Sequence, residues 1–263
     1  MHEFAFIAAG FFVGLVVGLT GVGGGSLMTP LLIFFFRLKP HLAIGTDLLF
    51  AAITKFGGSI ALARARTIAW PVVGWTALGS IPAALLTLAV LRHLGPANAA
   101  VQQAMTTTLG GALLLTAAAT LYKALAGRGA QRRPDAGAAV LLTTPRQRTL
   151  TVLFGVVIGT LVTLTSVGAG AIGMVVLILL YPTLPLARLV AADIAHAVPL
   201  TLVAGLGHAS LGSVDWALLA LLLAGSLPGI WLGSALTRRT PERLVRSLLS
   251  LLLAYAGAKL IAL

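Results

Sequence analysis

The 263-residue sequence contains no cysteine and only six acidic residues. The first absence excludes disulfides, thiolate catalysis and cysteine-bound metals. The second leaves few carboxylates for acid–base or metal chemistry, and the six acids and five histidines, scattered along the chain, give no metal-ligand spacing. No HExxH, GxSxG or GxxxxGK(S/T) pattern occurs, which removes the zinc-protease, hydrolase-elbow and P-loop readings. The expected protein is not an enzyme and needs no cofactor. Charged residues make up 9% of the chain, against about a quarter in a soluble domain. The net charge of +12 is not interleaved with aromatic residues, so no nucleic-acid partner is expected.

What is present is apolar: 59% of residues are hydrophobic and the mean hydropathy is +1.04. Polar surface is too scarce to cover a soluble fold, so lipid is the expected solvent. The apolar stretches have helix-spanning length and no period-two alternation, which predicts an all-α integral membrane bundle and not a barrel. Ten segments can be read, at about 4–20, 26–36, 41–62, 70–91 and 99–122, then 149–165, 167–181, 186–208, 215–236 and 243–262. The segments 4–20 and 26–36 are short for a core about 30 Å thick, so fewer than ten full spans are expected. The N-terminus lacks a basic region before its apolar run, which argues against a cleaved signal peptide.

The chain reads as two related halves. "GSIP" at Gly79–Pro82 recurs as "GSLP" at Gly225–Pro228, and Asp47, Trp70 and Arg92 match Asp193, Trp216 and Arg238 at the same offset of 146. "TGVGGGS" from Thr20 matches "TSVGAGA" from Thr165 at 145, and "GLVVG" from Gly14 matches "GVVIG" from Gly155 at 141. The expected organisation is a first membrane repeat over 1–122, a basic linker over 123–148 and a second repeat over 149–263. Five segments per repeat is an odd number, so the second repeat should be inverted. With the linker in the cytoplasm, inside loops collect thirteen basic residues and outside loops four, as the positive-inside rule requires. Both termini then lie outside the cytoplasm, and a bacterial inner membrane is the expected location.

Each half carries a glycine-rich break, "GLTGVGGGS" at Gly18–Ser26 and "TLTSVGAGA" at Thr163–Ala171. Unwound backbone inside a bilayer needs a polar partner or a cavity. A helix that restarts there presents unpaired N–H groups and a positive dipole end, which suits an anion. The candidate binding residues are Thr20, Gly23, Gly24, Gly25 and Ser26 with Thr165, Ser166, Gly168 and Gly170. The competing reading is that such glycines only allow close helix packing. Lys55, Asp47, Asp193 and His196 are ionisable residues within apolar segments, where charges usually face the bundle interior and pair or act. Lys55 suits an anion, while Asp47, Asp193 and His196 suit either proton coupling or a structural role such as capping a helix. His208, near a segment end, suits interfacial solvation.

These motifs resemble the TauE/SafE family of sulfite-exporter-like permeases. The resemblance is carried by "GLTGVGGGSLMTPLL" from Gly18, "HLAIGTDLLFAAITKFGGSIA" from His41 and "GSIPAALL" from Gly79. In the second half it is carried by "GHASLGSVDW" from Gly207 and "GSLPGIWLGSALTRRTPERLVRSLL" from Gly225. It implies a secondary transporter of sulfite, a sulfonate or a related small anion by alternating access. One departure is that Ala169 and Ala171 stand where the first break has Gly24 and Ser26. The partners implied are the small anion and the bilayer. A carrier of another small solute, coupled to protons or cations through the two Asp residues, stays open, as does self-association.

Overall fold

The computed structural model describes residues 2–20, 25–125, 144–236 and 242–262. Among these, every regular element is an α-helix: α1 (His2–Thr20), α2 (Gly25–Phe36), α3 (Pro40–Arg64), α4 (Trp70–Leu94), α5 (Ala99–Leu125), α6 (Pro145–Thr165), α7 (Ala171–Leu180), α8 (Leu186–Ser210), α9 (Trp216–Leu236) and α10 (Glu242–Ile261). The ten apolar segments thus become ten helices. Arg146 and Arg148, read as the end of the linker, lie in the first turn of α6.

Local chemistry sets the ends of these helices. Thr144 caps α6 in a reciprocal box with Gln147, and Pro145 stands at the first turn, where a missing N–H costs nothing. Asp215 opens α9 by accepting the Leu218 N–H at 3.0 Å. Gly95, at φ 80, closes α4. Within the helices, hydroxyls of Thr76, Thr120, Thr151, Thr163 and Thr201 donate to the carbonyl four residues back, so none is left bare in an apolar setting.

Six helices, α3, α4, α5, α6, α8 and α9, are long and apolar enough to cross a membrane. The helix after each break is not. α2 has 12 residues and α7 has 10; at about 1.5 Å per residue they rise only about 18 and 15 Å. The Phe6 and Phe36 rings meet at 4.6 Å, so α2 returns to the end from which α1 sets out. A break about 15–18 Å in from that end lies near the middle of a hydrocarbon core about 30 Å thick.

The helices pair through glycine. α1 runs along α9, and α6 runs along α4. Gly10 and Gly14 of α1 press on the backbone of Leu222 and Ser226, while Gly155 and Gly159 of α6 press on Thr76 and Ser80. Gly225 meets Ile7 and Phe11, and Gly79 meets Val152 and Val156. Every one of these contacts maps onto its counterpart by 145 residues on α1/α6 and 146 on α9/α4. The 141-residue match of "GLVVG" with "GVVIG" is therefore one helical turn out of register. By contact, Gly10 and Gly14 correspond to Gly155 and Gly159, and no insertion separates this stretch from the breaks. A repeating four-residue spacing let the motif match itself one turn away.

At these positions close packing is the glycines' role. A Gly14→Val chain should lose about 1–3 kcal/mol of stability by forcing α1 off α9. Gly74, with open space around its Cα, should tolerate alanine with a gain of roughly 0.5–1 kcal/mol. Thermal unfolding in detergent checks both, and equal shifts for the two variants would contradict the assignment.

Candidate substrate site

The second break is described in full. α6 ends at Thr165, whose hydroxyl donates to Leu161 O at 2.7 Å and also bridges to the backbone of Val167. Ser166 follows in the left-handed region at φ 60, its N–H on Val162 O at 2.7 Å. Gly168 and Gly170 take φ 126 and 123, values that favour glycine. The Gly168 carbonyl accepts from the Gly173 N–H at 3.1 Å. The run "SVGAG" is thus a built turn between α6 and α7, with glycine where the turn requires it. Thr165, expected to offer a hydroxyl to a ligand, has that hydroxyl engaged by the helix end.

Of the first break, Gly23 and Gly24 lie outside the described residues. Thr20 closes α1 and Gly25 opens α2. Ser26, in the first turn of α2, is buried.

The two halves meet at Asp47. This carboxylate, on α3, is fully buried and accepts a hydrogen bond from the Thr29 hydroxyl on α2. The Thr29 backbone N–H and the Ser166 hydroxyl of the second break also bear on it. One carboxylate therefore joins the helix after the first break to the turn of the second. Asp193, on α8, has the corresponding placement in its own half: its Oδ1 lies against Gly173 in the first turn of α7. Both acids stand by the start of a helix that follows a break, where a negative group is stabilised by unpaired N–H groups and the dipole.

Lys55 is half-buried on α3, and its ammonium interacts electrostatically with both Asp193 and Asp47. His196, on α8, is buried, bonds Ser80 of α4 through Nε2 at 2.7 Å, and is within electrostatic reach of Lys55. Asp47, Asp193, Lys55 and His196, scattered in the sequence, thus form one interior polar cluster with Thr29, Ser80 and Ser166. Among the described residues, no group of three or more His, Cys, Asp or Glu is arranged to hold a metal.

Two members of the cluster escaped sequence reasoning, and one buried residue outside it was placed wrongly. Thr29 and Ser80 are single hydroxyls in apolar runs, and nothing in their spacing sets them apart from the threonines that bond their own helix. His208, read as interfacial, is fully buried with Nε2 on the Thr163 carbonyl at 2.9 Å. A cavity of about 530 Å³ lies elsewhere, between α1, α2 and α10, lined by apolar side chains with Lys259 over the Phe34 ring. It contains none of the cluster residues.

Comparison with known proteins agrees with this architecture. Residues 6–260 match the family described as Sulfite exporter TauE/SafE. The chain belongs to the TauE/SafE family. It is therefore a multi-pass membrane protein of a transporter family. This TauE/SafE chain is 40% identical over 256 residues to the probable membrane transporter protein YjnA of Bacillus subtilis (strain 168), covering 97% of this chain and 98% of that one. It is 26% identical over 258 residues to the probable membrane transporter protein YdhB of the same organism, covering 95% and 97%. No solved structure matches the chain.

The Thr29–Asp47 bond yields a test. Thr29→Val keeps the shape and leaves a buried carboxylate short of a donor, which should cost about 1–3 kcal/mol. Thr29→Ser should restore most of the loss. In an Asp47→Asn background, the Thr29→Val effect should shrink, and a double-mutant cycle on thermal unfolding reads that coupling.

Proposed function

We propose that this TauE/SafE protein is a secondary transporter of a small sulfur-containing anion, sulfite or a sulfonate, working by alternating access of two inverted repeats. The observation that carries the reading is the convergence on Asp47 of α2, which follows the first break, and Ser166, within the second. Two interrupted helices meeting near the membrane middle resemble the way many secondary transporters build a substrate site. The anion would lie between Gly23–Ser26 and Gly168–Ala171, facing the positive starts of α2 and α7. Because Asp47 and Asp193 already answer much of those dipoles, Lys55 supplies the full positive charge that holds the ligand. The family description supports sulfite or a chemical relative as cargo.

Purified protein in liposomes should carry sulfite or an alkanesulfonate. Lys55→Ala should lower that flux roughly 10- to 100-fold, the range expected for one charge-assisted contact, while Lys55→Arg should retain part of it. Absence of flux for every sulfur anion tested, in protein that unfolds cooperatively, would overturn the substrate class.

The proposed orientation puts the linker in the cytoplasm and both termini outside. With no native cysteine, single thiols report sidedness cleanly. In whole cells an impermeant maleimide should label Ala262→Cys and spare Ala136→Cys; the reverse pattern would invert the topology.

A further inference from the structure

A second set of polar groups leads away from the cluster. Among the described residues, three buried side-chain atoms in this part of the bundle have no hydrogen-bond partner, His208 Nδ1, His41 Nδ1 and Ser213 Oγ, and they lead to the Ser166 hydroxyl and the Asp47 carboxylate, which bear on each other. A buried polar atom left unpaired costs about 1–3 kcal/mol, so several gathered in one region call for a shared partner, and water is the usual one.

These atoms are contiguous in the fold. His41 stands in the first turn of α3, with its ring facing Gln102 of α5. One turn on, Gly45 presses on the Ser213 carbonyl and on the His208 side chain. Thr46, next in line, receives the Asp215 N–H at 3.0 Å. His208 reaches from α8 to the Thr163 carbonyl of α6. Three residues later α6 has ended at Ser166, which faces Asp47. The series runs from the end of the bundle where the α2–α3, α4–α5 and α8–α9 connections lie, inward to the carboxylate at the breaks.

The tautomer of His208 follows from its bond. A carbonyl only accepts, so Nε2 carries the hydrogen, and in the neutral ring Nδ1 is a bare acceptor. His208 is fully buried and His41 only 8% exposed, and the Nδ1 atom of each is buried.

Charge balance supplies the use. The cluster holds two carboxylates, Asp47 and Asp193, and one ammonium, Lys55; Thr29, Ser80, Ser166 and neutral His196 add no charge. Its formal charge is negative by one, and an entering monoanion would make it negative by two. Like charges close together in a low-dielectric interior are strongly unfavourable. One proton on Asp47 restores the starting balance.

We propose that His41, Ser213, His208 and Ser166 line a hydrated proton path from that end of the bundle to Asp47, and that Asp47 takes up one proton as the substrate anion binds beside Lys55. The protein then moves a proton and an anion in the same direction. The step is a proton transfer from water of the path to a carboxylate oxygen, giving the neutral acid, and its reversal on release. This inference rests on the anion-transport reading above.

The test uses proteoliposomes with a trapped pH dye and an alkanesulfonate as probe, since its charge does not change with pH. Anion uptake and internal acidification are recorded together. Wild-type protein should move about one proton per anion, and an inward proton gradient should drive uptake. Asp47→Asn should bring the ratio of protons to anions to zero. Ser213→Ala, a small change away from the binding cluster, should slow gradient-driven uptake about tenfold, the effect of one lost polar contact in the path, while anion-for-anion counterflow stays at the wild-type rate. His208→Gln should act in the same direction as Ser213→Ala.

Anion flux without acidification in the wild type, or an undiminished proton ratio in Asp47→Asn, overturns the coupling. Wild-type speed of gradient-driven uptake in Ser213→Ala and His208→Gln overturns the path. Absence of any sulfur-anion flux overturns the transport reading itself and this inference with it, which separates the two failures.

Discussion

A helix interrupted in the middle of a hydrocarbon core must find hydrogen-bond partners inside the protein, because lipid offers none. The rest of this structure depends on how that demand is met. At the second break the turn meets part of it locally, through the Thr165 hydroxyl, the left-handed Ser166 and the Gly168 carbonyl. What the turn leaves unmet is the start of the next helix. Asp193 comes to α7 from α8, and Asp47 comes to α2 from α3. Those carboxylates are costly to bury, and Lys55 stands where it acts on both. Break, carboxylate and lysine are thus linked, each bearing on the charge left by the one before it.

The two halves share a scaffold and differ in what fills it. The contacts of Gly10, Gly14 and Gly225 between α1 and α9 repeat as those of Gly155, Gly159 and Gly79 between α6 and α4, and the prolines Pro82 and Pro228 fall at equivalent places. Polar content does not repeat. At the 146-residue offset His196 corresponds to Phe50, buried in the apolar core, and Lys55 corresponds to Thr201, whose hydroxyl bonds its own helix. Ser80 bonds His196, whereas its counterpart Ser226 has only a long bond within its own helix at 3.4 Å. Thr29 and Met174 differ likewise. A shared backbone frame thus carries a polar cluster to which the two halves contribute different residues, Thr29, Asp47, Lys55 and Ser80 from the first and Ser166, Asp193 and His196 from the second.

Much of this was legible in the sequence, and the reason is physical. Ten apolar runs give ten helices because a bilayer enforces helix wherever the chain is apolar for long enough. Asp47, Asp193, Lys55 and His196 stood out because ionisable groups are rare in such runs. Thr29 and Ser80 did not, since a hydroxyl can always bond its own helix and so gives no sign of a distant partner. His208 lies near a helix end, which suggested solvent, but its side chain packs against Gly45 of α3 and reaches the Thr163 carbonyl of α6. The four-residue glycine rhythm was detectable but ambiguous in register, because a motif that repeats every turn matches itself one turn away. Only the partner backbone removes that ambiguity.

The energetics of the cluster bear on its purpose. A hydroxyl suffices to finish a helix start, as Thr144 does for α6 by accepting the Gln147 N–H. Two carboxylates, an ammonium and an imidazole in the same interior are a costlier answer, and replacing buried ions with apolar residues of equal volume is often neutral or stabilising. Close glycine packing of α1 on α9 and α6 on α4 already fixes how the helices cross, so the charges are not needed to specify the fold. Their cost has no structural return large enough to account for it. A group that binds or moves charge accounts for it directly, since the carboxylates and the lysine set the charge that any solute reaching the breaks must balance.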